Sequence, residues 1–246
     1  MTIITESAGK LAELPLLWTA ATISVYALFS YIYSKKKKIY FHPVFTSIAA
    51  LIVILLITGT PYAVYNEGGK YISFFLGPSV VALAVPLYKE RELIRKNVAA
   101  IGITLPLGAL IGIVTAIVPM IICGASSESI RSIAPKSITT PIAMGVSEVT
   151  GGFPNLTAAI VVFTGLFGAV AGPVLLRGIG LAESAVFGFA MGFSSHGIGT
   201  ARAFEYGDTS GAFSSLALCL NGIATAILTP PVLMVLERIG ALPPLT

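Results

Sequence analysis

The sequence predicts an all-α integral membrane protein with about seven transmembrane helices, some of them broken or re-entrant. Two observations lead to this prediction: the composition and the spacing of the charged residues. Of the 246 residues, 55% are hydrophobic and only 11% are charged, and the mean hydropathy is +0.91. A soluble domain carries about 25% charged residues, because charge covers its water-facing surface. The composition therefore excludes an ordinary cytosolic enzyme, a disordered chain and a nucleic-acid-binding protein.

The charged residues occur in clusters, and the uncharged runs between them give the candidate helices. A helix needs about 20 apolar residues to cross a hydrocarbon core of about 30 Å. Seven runs are long enough: Leu14–Ser34, Ile39–Asn66, Tyr71–Tyr88, Asn97–Ser127, Val149–Leu176, Ser184–Ala201 and Thr209–Leu236. None of them alternates apolar and polar residues as the strands of an outer-membrane barrel do. Seven helical crossings are therefore expected.

The basic residues predict how the chain is oriented in the membrane. Cytoplasmic loops are enriched in Lys and Arg, and the formal net charge here is +4. Lys35–Lys38 form one basic run, and residues 89–96 contain a second basic cluster. These loops are two crossings apart, so both can face the cytoplasm. Seven crossings then place the N-terminus outside and the C-terminus, with Arg238, inside.

Three stretches are expected to interrupt helices within the membrane. They are residues 74–79 followed by Pro86, residues 135–141 and residues 192–200. Pro lacks a backbone N–H and Gly loosens a helix, and freed backbone groups are tolerated at membrane depth only inside protein or beside a wet cavity. For any one stretch alone, a simple kink is the default interpretation. Three together, each with Ser, Thr or charge, indicate a binding site of the kind formed by discontinuous helices.

The order of the runs also suggests duplication within a single transmembrane domain spanning residues 1–246. A long, a broken and a long run lie in residues 43–122, and the same order returns in residues 155–236. A re-entrant hairpin over residues 128–152 would invert the second three-helix unit relative to the first. Glycines four residues apart predict close packing of helices; the pairs are Gly108 and Gly112, Gly168 and Gly172, and Gly188 and Gly192.

Polar side chains in the broken stretches are the candidate functional residues, because polar groups are costly inside a membrane. A cation, hydroxyl donors and open helix N-termini together suit a small carboxylate. A cation-binding site would instead be expected to contain membrane-embedded carboxylates. The candidates are Lys136, Ser137, Thr139, Thr140, Ser195, His196, Thr200 and Arg202.

Several of these side chains also have a purely structural interpretation. Lys136 could extend its ammonium group to the membrane interface, and Arg202 could be an interface anchor. His196 could be a buried residue bonded to a neighbouring carbonyl, or a proton acceptor that couples transport to pH. Asn221, inside the last apolar run, could cap a helix or bond between helices.

No catalytic, metal-binding or cofactor motif competes with this interpretation. The two histidines and the lone cysteines, Cys123 and Cys219, fit no metal-ligand or disulfide spacing. The cysteines are interpreted as packing residues. The sequence contains neither a Gly-rich phosphate loop nor a Gly-x-Ser-x-Gly elbow. We therefore expect a protein that is not an enzyme and that needs no metal or cofactor.

The broken stretches carry three sequence motifs: FLGPSVVALAVPLY at 75–88, PKSITTPIA at 135–143 and SHGIGTARA at 195–203. Together they resemble the LrgB/CidB family, and they follow one another in the family's order. The family includes YohK-like bacterial proteins and the C-terminal half of the plastidal glycolate/glycerate translocator. The likeness runs from about Pro15 to Arg238. The first motif adds Gly77, Pro78 and Ser79 to the candidate substrate-binding residues.

The resemblance implies a multi-pass protein of the bacterial inner membrane, usually encoded beside a smaller LrgA/CidA-like membrane partner. Two functions follow as expectations. The first is a carrier for small carboxylates of the glycolate, glycerate or pyruvate class, working by alternating access. The second is a holin-like or antiholin-like regulator of murein hydrolases and autolysis. The expected partners are the lipid bilayer, a small anionic carboxylate, the LrgA/CidA-like protein and further copies of this chain, but no nucleic acid.

Overall fold

The computed structural model describes residues 14–36, 43–75, 78, 81–82 and 84–242, and over these ranges the chain is helical without strands. The chain divides into two compact units, one containing helices α1–α3 and the other containing helices α4–α11. The helices are α1 (Pro15–Lys36), α2 (Pro43–Thr58), α3 (Tyr62–Phe74), α4 (Ala84–Lys89), α5 (Arg91–Lys96), α6 (Val98–Ile122), α7 (Ser127–Ile133), α8 (Thr140–Thr150), α9 (Pro154–Gly178), α10 (Ser184–Phe204) and α11 (Asp208–Arg238).

Within the described residues, four helices are long and apolar enough to cross a membrane: α1, α6, α9 and α11. Helix α2 is apolar but shorter. The predicted membrane class is thus confirmed, whereas the predicted count of seven crossings is not. The run Ile39–Asn66 is divided between α2 and α3, because Gly59 has a φ of 64° and Pro61 is extended. The run Tyr71–Tyr88 is not one helix either, since α3 ends at Phe74.

In the first unit, α1 and α3 pack antiparallel through polar and aromatic contacts. Thr19 Oγ1 donates a 2.8 Å hydrogen bond to the Gly68 carbonyl, and the hydroxyls of Thr22 and Tyr65 lie 3.1 Å apart. The rings of Trp18 and Tyr65 meet edge to face at 5.9 Å. Because Gly68 has no Cβ, the two helix backbones can approach this closely.

In the second unit, α6 and α11 run parallel. Near the starts of both helices, Ile101 packs with Phe213. Thr209 Oγ1 in α11 donates to a carboxylate oxygen of Glu90, just before α5, at 2.9 Å. Towards their last turns, Ile117 packs with Leu233. Both helices therefore begin at the end of the unit that carries the basic helix α5, called the basic end below. Both finish at the opposite end, called the distal end.

Helices α7 and α8 form a helical hairpin, called hairpin 1, around a turn at residues 134–139. Arg131 bonds its two helices together, and Ser132 bonds the first of them to the residue before α9. Arg131 Nη1 donates to the Thr150 carbonyl at 2.7 Å, and Ser132 Oγ accepts from the Phe153 backbone N–H at 2.7 Å. Arg131 also pairs with Glu237, at the end of α11. Hairpin 1 therefore opens at the distal end, and its turn points towards the middle of the unit.

Helix α10 reverses direction at its centre. Ser195 and His196 have non-helical backbone angles, with φ 41° and ψ −135° at His196. Phe187 and Met191 pack against Ala203, although an uninterrupted helix would separate positions 187 and 203 by about 24 Å. We call this element hairpin 2, with arms at residues 184–194 and 197–204.

Hairpin 2 opens at the basic end, because the Ser184 carbonyl accepts a 3.0 Å hydrogen bond from Ser210 Oγ, in the first turn of α11. Two predictions were therefore wrong. The run Ser184–Ala201 returns to the end from which it started and does not cross. The end of α11, with Arg238, consequently lies at the distal end, opposite the basic cluster. The expected three-helix repeat of residues 43–122 and 155–236 is not confirmed by the described helices and stays a prediction.

Candidate functional site

The turns of the two hairpins meet beside the middle of α11, at Asn221. Asn221 Nδ2 donates to the Phe193 carbonyl in hairpin 2 at 2.9 Å and to the Ser137 carbonyl in hairpin 1 at 3.5 Å. Its Oδ1 accepts a 3.0 Å hydrogen bond from Thr225 Oγ1. Asn221 is 1% exposed, so one buried amide bonds both chain reversals. Of its two predicted roles, the structure shows the interhelical hydrogen bond.

His196, at the turn of hairpin 2, is fixed against α9. Its Nε2 lies 2.9 Å from the Val161 carbonyl, and Val161 packs with Ile138 of hairpin 1. The turns of both hairpins thus contact the same residue of α9. A positive φ at a residue other than glycine costs about 1–3 kcal/mol. The surrounding contacts must hold His196 in this conformation, so the reversal at this position is built into the fold.

Glycines allow hairpin 2 to approach α9 and α11. A Cβ on Gly165 would lie 2.6 Å from His196 Nε2, and a Cβ on Gly168 would overlap the side chain of Ser195. Gly188 and Gly192 pack in the same way against the backbone of α11. These contacts agree with the close packing predicted for the pairs Gly168 and Gly172, and Gly188 and Gly192. Gly112, in contrast, has nothing within 4 Å of an added Cβ.

Lys136 lies half-buried in the turn of hairpin 1. It forms no ion pair with any residue that the structure describes. Thr139 is the N-cap of α8 but makes no side-chain capping hydrogen bond, and Thr140 is the first residue of the helix. The N-terminus of α8 therefore keeps N–H groups available to an acceptor, next to an ammonium group. An anion is the ligand that such a turn favours.

Thr200 and Arg202 lie in the second arm of hairpin 2, and only Thr200 is bonded to the turn. Thr200 Oγ1 donates to the His196 carbonyl at 2.9 Å. Arg202 lies six residues beyond His196, about 9 Å along a helix. It pairs with Glu205, and its Nη2 donates to the Tyr206 hydroxyl at 3.2 Å. Arg202 thus lies at the basic end, apart from the residues around Asn221.

Of the three candidates in the first motif, the structure describes only Pro78. Gly77 and Ser79 lie outside the described residues. Pro78 is exposed and belongs to the segment after the first unit's last helix. The structure therefore brings together candidates from the second and third motifs.

The sequence analysis missed the polar network at the base of hairpin 1. Thr157 Oγ1 donates towards Ser147 Oγ at 2.8 Å and the Ser132 carbonyl at 3.0 Å, and Arg131 is buried beside them. Arg131 is absent from the candidate residues of the sequence analysis. A cation inside the predicted hairpin of residues 128–152 was the available signal.

These features define a helical membrane protein in which two hairpins enter from opposite ends and both turns contact Asn221 and Val161. The LrgB-like family model matches residues 22–235, so the chain belongs to that family. It is 35% identical over 209 residues to the uncharacterized protein YwbG of Bacillus subtilis, covering 85% of this chain and 93% of that protein. It is 33% identical over 213 residues to the holin-like protein CidB of Staphylococcus epidermidis (87% and 93% covered) and over 220 residues to CidB of Staphylococcus aureus (89% and 96%). No solved structure matches the chain.

Proposed function

We propose that the protein is a multi-pass carrier of the bacterial inner membrane that moves small carboxylates of the glycolate, glycerate or pyruvate class by alternating access. We propose a carrier and not an enzyme. The observation that supports this best is the meeting of the two hairpin turns at Asn221. Chain reversals at membrane depth leave backbone groups that need partners, and they recur at the substrate sites of transporters.

The chemistry of the first turn favours an anion over a cation. Lys136 supplies a positive charge, and the N-terminus of α8 supplies N–H groups and the hydroxyls of Thr139 and Thr140. Charge-assisted hydrogen bonds from such donors replace the hydration of a carboxylate. Ser195 and His196 approach from the other turn, because both hairpins contact Val161. The proposed substrate is small because these groups lie between packed helices.

The arrangement of the hairpins also supports alternating access. Hairpin 1 is followed by α9 and hairpin 2 by α11, and the hairpins open at opposite ends of the unit. Two hairpin–helix units of opposite orientation can open a shared site first to one side and then to the other.

Uptake into proteoliposomes tests the proposal. The purified protein is reconstituted and the accumulation of radiolabelled glycolate, glycerate and pyruvate is measured. We expect Lys136→Gln to reduce uptake at least tenfold, because it removes the charge that binds the carboxylate. Lys96→Gln, the same change at an exposed position of the basic end, should leave uptake unchanged. Wild-type protein that moves none of the three acids would overturn the proposal.

A second candidate function is the control of murein hydrolases and autolysis, together with an LrgA/CidA-like partner or as a homo-oligomer. The observation that favours it is that two of the relatives are named holin-like protein CidB. Such a role needs apolar packing surfaces but no cation at a hairpin turn. Lys136→Ala should then leave lysis control intact in cells, whereas a role that depends on carboxylate flux should be lost with uptake.

A further inference from the structure

Residues of both hairpin turns line a small cavity beside α11. The cavity has a volume of about 10 Å³, and Ser137, Phe193, Asn221 and Thr225 contribute to its walls. That volume holds about one water molecule, or one ion without its hydration shell. The remaining wall residues are Ala109, Gly112, Ile113 and Ala134.

The cavity offers oxygen atoms in place of charged groups. The carbonyl oxygens of Ser137 and Phe193 lie 3.5 and 2.9 Å from a single atom, Nδ2 of Asn221. Phe193 lies in the last turn of the first arm of hairpin 2, where a helix has its partial negative charge. Two acceptors that converge on one point bind a hydrogen-bond donor or a cation. In the structure, the amide of Asn221 is that donor.

We propose that this cavity is a sodium site, in which Na⁺ lies between the two hairpin carbonyls. Rotation of the Asn221 amide by about 180° exchanges its nitrogen and oxygen. Oδ1 then becomes a third ligand beside the carbonyls of Ser137 and Phe193, while Nδ2 donates to Thr225 Oγ1. Unwound backbone carbonyls and helix C-terminal ends are the groups that coordinate Na⁺ in transporters with discontinuous helices.

The wall residues also select the charge of the ion. Sites for Ca²⁺ and Mg²⁺ use carboxylate ligands, and none of the residues that line this cavity carries one. Neutral oxygens suit a monovalent cation. Because the ion would bind both turns at once, its binding stabilises the arrangement in which both turns lie beside Asn221. This inference rests on the contacts of Asn221 and does not depend on which solute the protein carries.

Thermal unfolding in nanodiscs tests the sodium site without any transport assay. NaCl is titrated against choline chloride or KCl at constant ionic strength. A ligand that binds only the folded state raises the midpoint with its concentration, so we expect a saturable rise of about 3 °C or more with Na⁺ alone. Equal midpoints in NaCl, KCl and choline chloride would overturn the proposal.

Two matched variants test whether the Na⁺-dependent rise in the unfolding midpoint comes from binding in this cavity. Thr225→Val removes the hydroxyl that bonds Asn221, and it should raise the half-saturating Na⁺ concentration at least tenfold. Thr229→Val removes an equally buried hydroxyl one turn further on, which donates to the Thr225 carbonyl but does not line the cavity. It should respond as the wild type does, and equal responses from the two variants would contradict the site.

A further variant, Asn221→Asp, tests the sodium site in case Thr225→Val does not fold. The carboxylate adds a negative charge beside the two carbonyls, so the half-saturating Na⁺ concentration should fall at least tenfold. A wild-type response to Na⁺ in this variant would overturn the assignment.

Discussion

Replacing Arg131 by methionine tests the ion pair that joins hairpin 1 to the end of α11. Arg131 is 5% exposed, donates to Ser127 Oγ at 3.1 Å and to the Thr150 carbonyl at 2.7 Å, and pairs with Glu237. Methionine keeps the apolar stem but makes none of these contacts. Removing one partner of a buried pair costs about 3–5 kcal/mol. Because the Glu237 side chain is 38% exposed, water recovers part of this cost, and we expect about 3 kcal/mol.

The assay is thermal unfolding of the purified protein in nanodiscs. For a chain of this size, 1 kcal/mol corresponds to about 2–4 °C, so the midpoint should fall by about 6–12 °C. The double variant Arg131→Met/Glu237→Gln should recover about half of the loss, because no unpaired charge is left. Arg91→Met is the control: its ion pair with Glu92, at 3.8 Å, is exposed and contributes at most about 1 kcal/mol. Equal midpoints for the two single variants, or a double variant no better than Arg131→Met, would refute the reasoning.

Two further substitutions test the packing and chemistry of hairpin 2. Gly168→Ala should displace the hairpin and abolish carboxylate uptake, because its Cβ would overlap the Ser195 side chain; Gly102→Ala has nothing within 4 Å of the added methyl and should be neutral. Uptake by Gly168→Ala at the level of Gly102→Ala would contradict the packing. His196→Gln keeps a donor for the Val161 carbonyl but cannot take up a proton. If the histidine couples uptake to protons, the variant should lose the pH dependence of uptake that the wild type shows; an unchanged profile would count against coupling.

The sequence was sufficient to predict the membrane class, the family and the two broken segments of the second unit. Composition alone excludes a soluble fold, since 11% charged residues cannot cover a globule. The stretch at 135–141 contains two prolines and lies in the turn of hairpin 1 as a result. The stretch at 192–200 contains the non-helical residues Ser195 and His196.

The direction of the chain after a break could not be predicted from the sequence. A run of 18 apolar residues has the same hydropathy whether it crosses the membrane or turns back halfway. In hairpin 2 the difference lies in the backbone angles of His196 and in its contact with Val161, and neither has a signature in the local pattern. The break between α2 and α3 at Gly59–Pro61, in contrast, does have a sequence signal, because Gly and Pro close together favour a turn.

The sequence predicts which residues belong to the candidate site more accurately than it predicts how those residues are arranged. Lys136, Ser137 and His196 were selected as polar residues at helix breaks, and the structure places the breaks side by side. Asn221 was noted only as a cap or an interhelical bond, since a single sequence does not show that one amide lies opposite two turns. Arg202 was grouped with the site by its proximity in sequence, whereas its partner Glu205 holds it at the basic end.

Side-specific cysteine labelling tests the central claim, the reversal of hairpin 2, most directly. Single cysteines at the exposed positions Ala182, Asp208 and Arg238, in a background without Cys123 and Cys219, are treated with a membrane-impermeant maleimide in intact and lysed cells. The account predicts that Ala182→Cys and Asp208→Cys are labelled from the same side of the membrane and Arg238→Cys from the other. Labelling of Ala182→Cys and Asp208→Cys from opposite sides would show that residues 184–204 cross the membrane, and would contradict it.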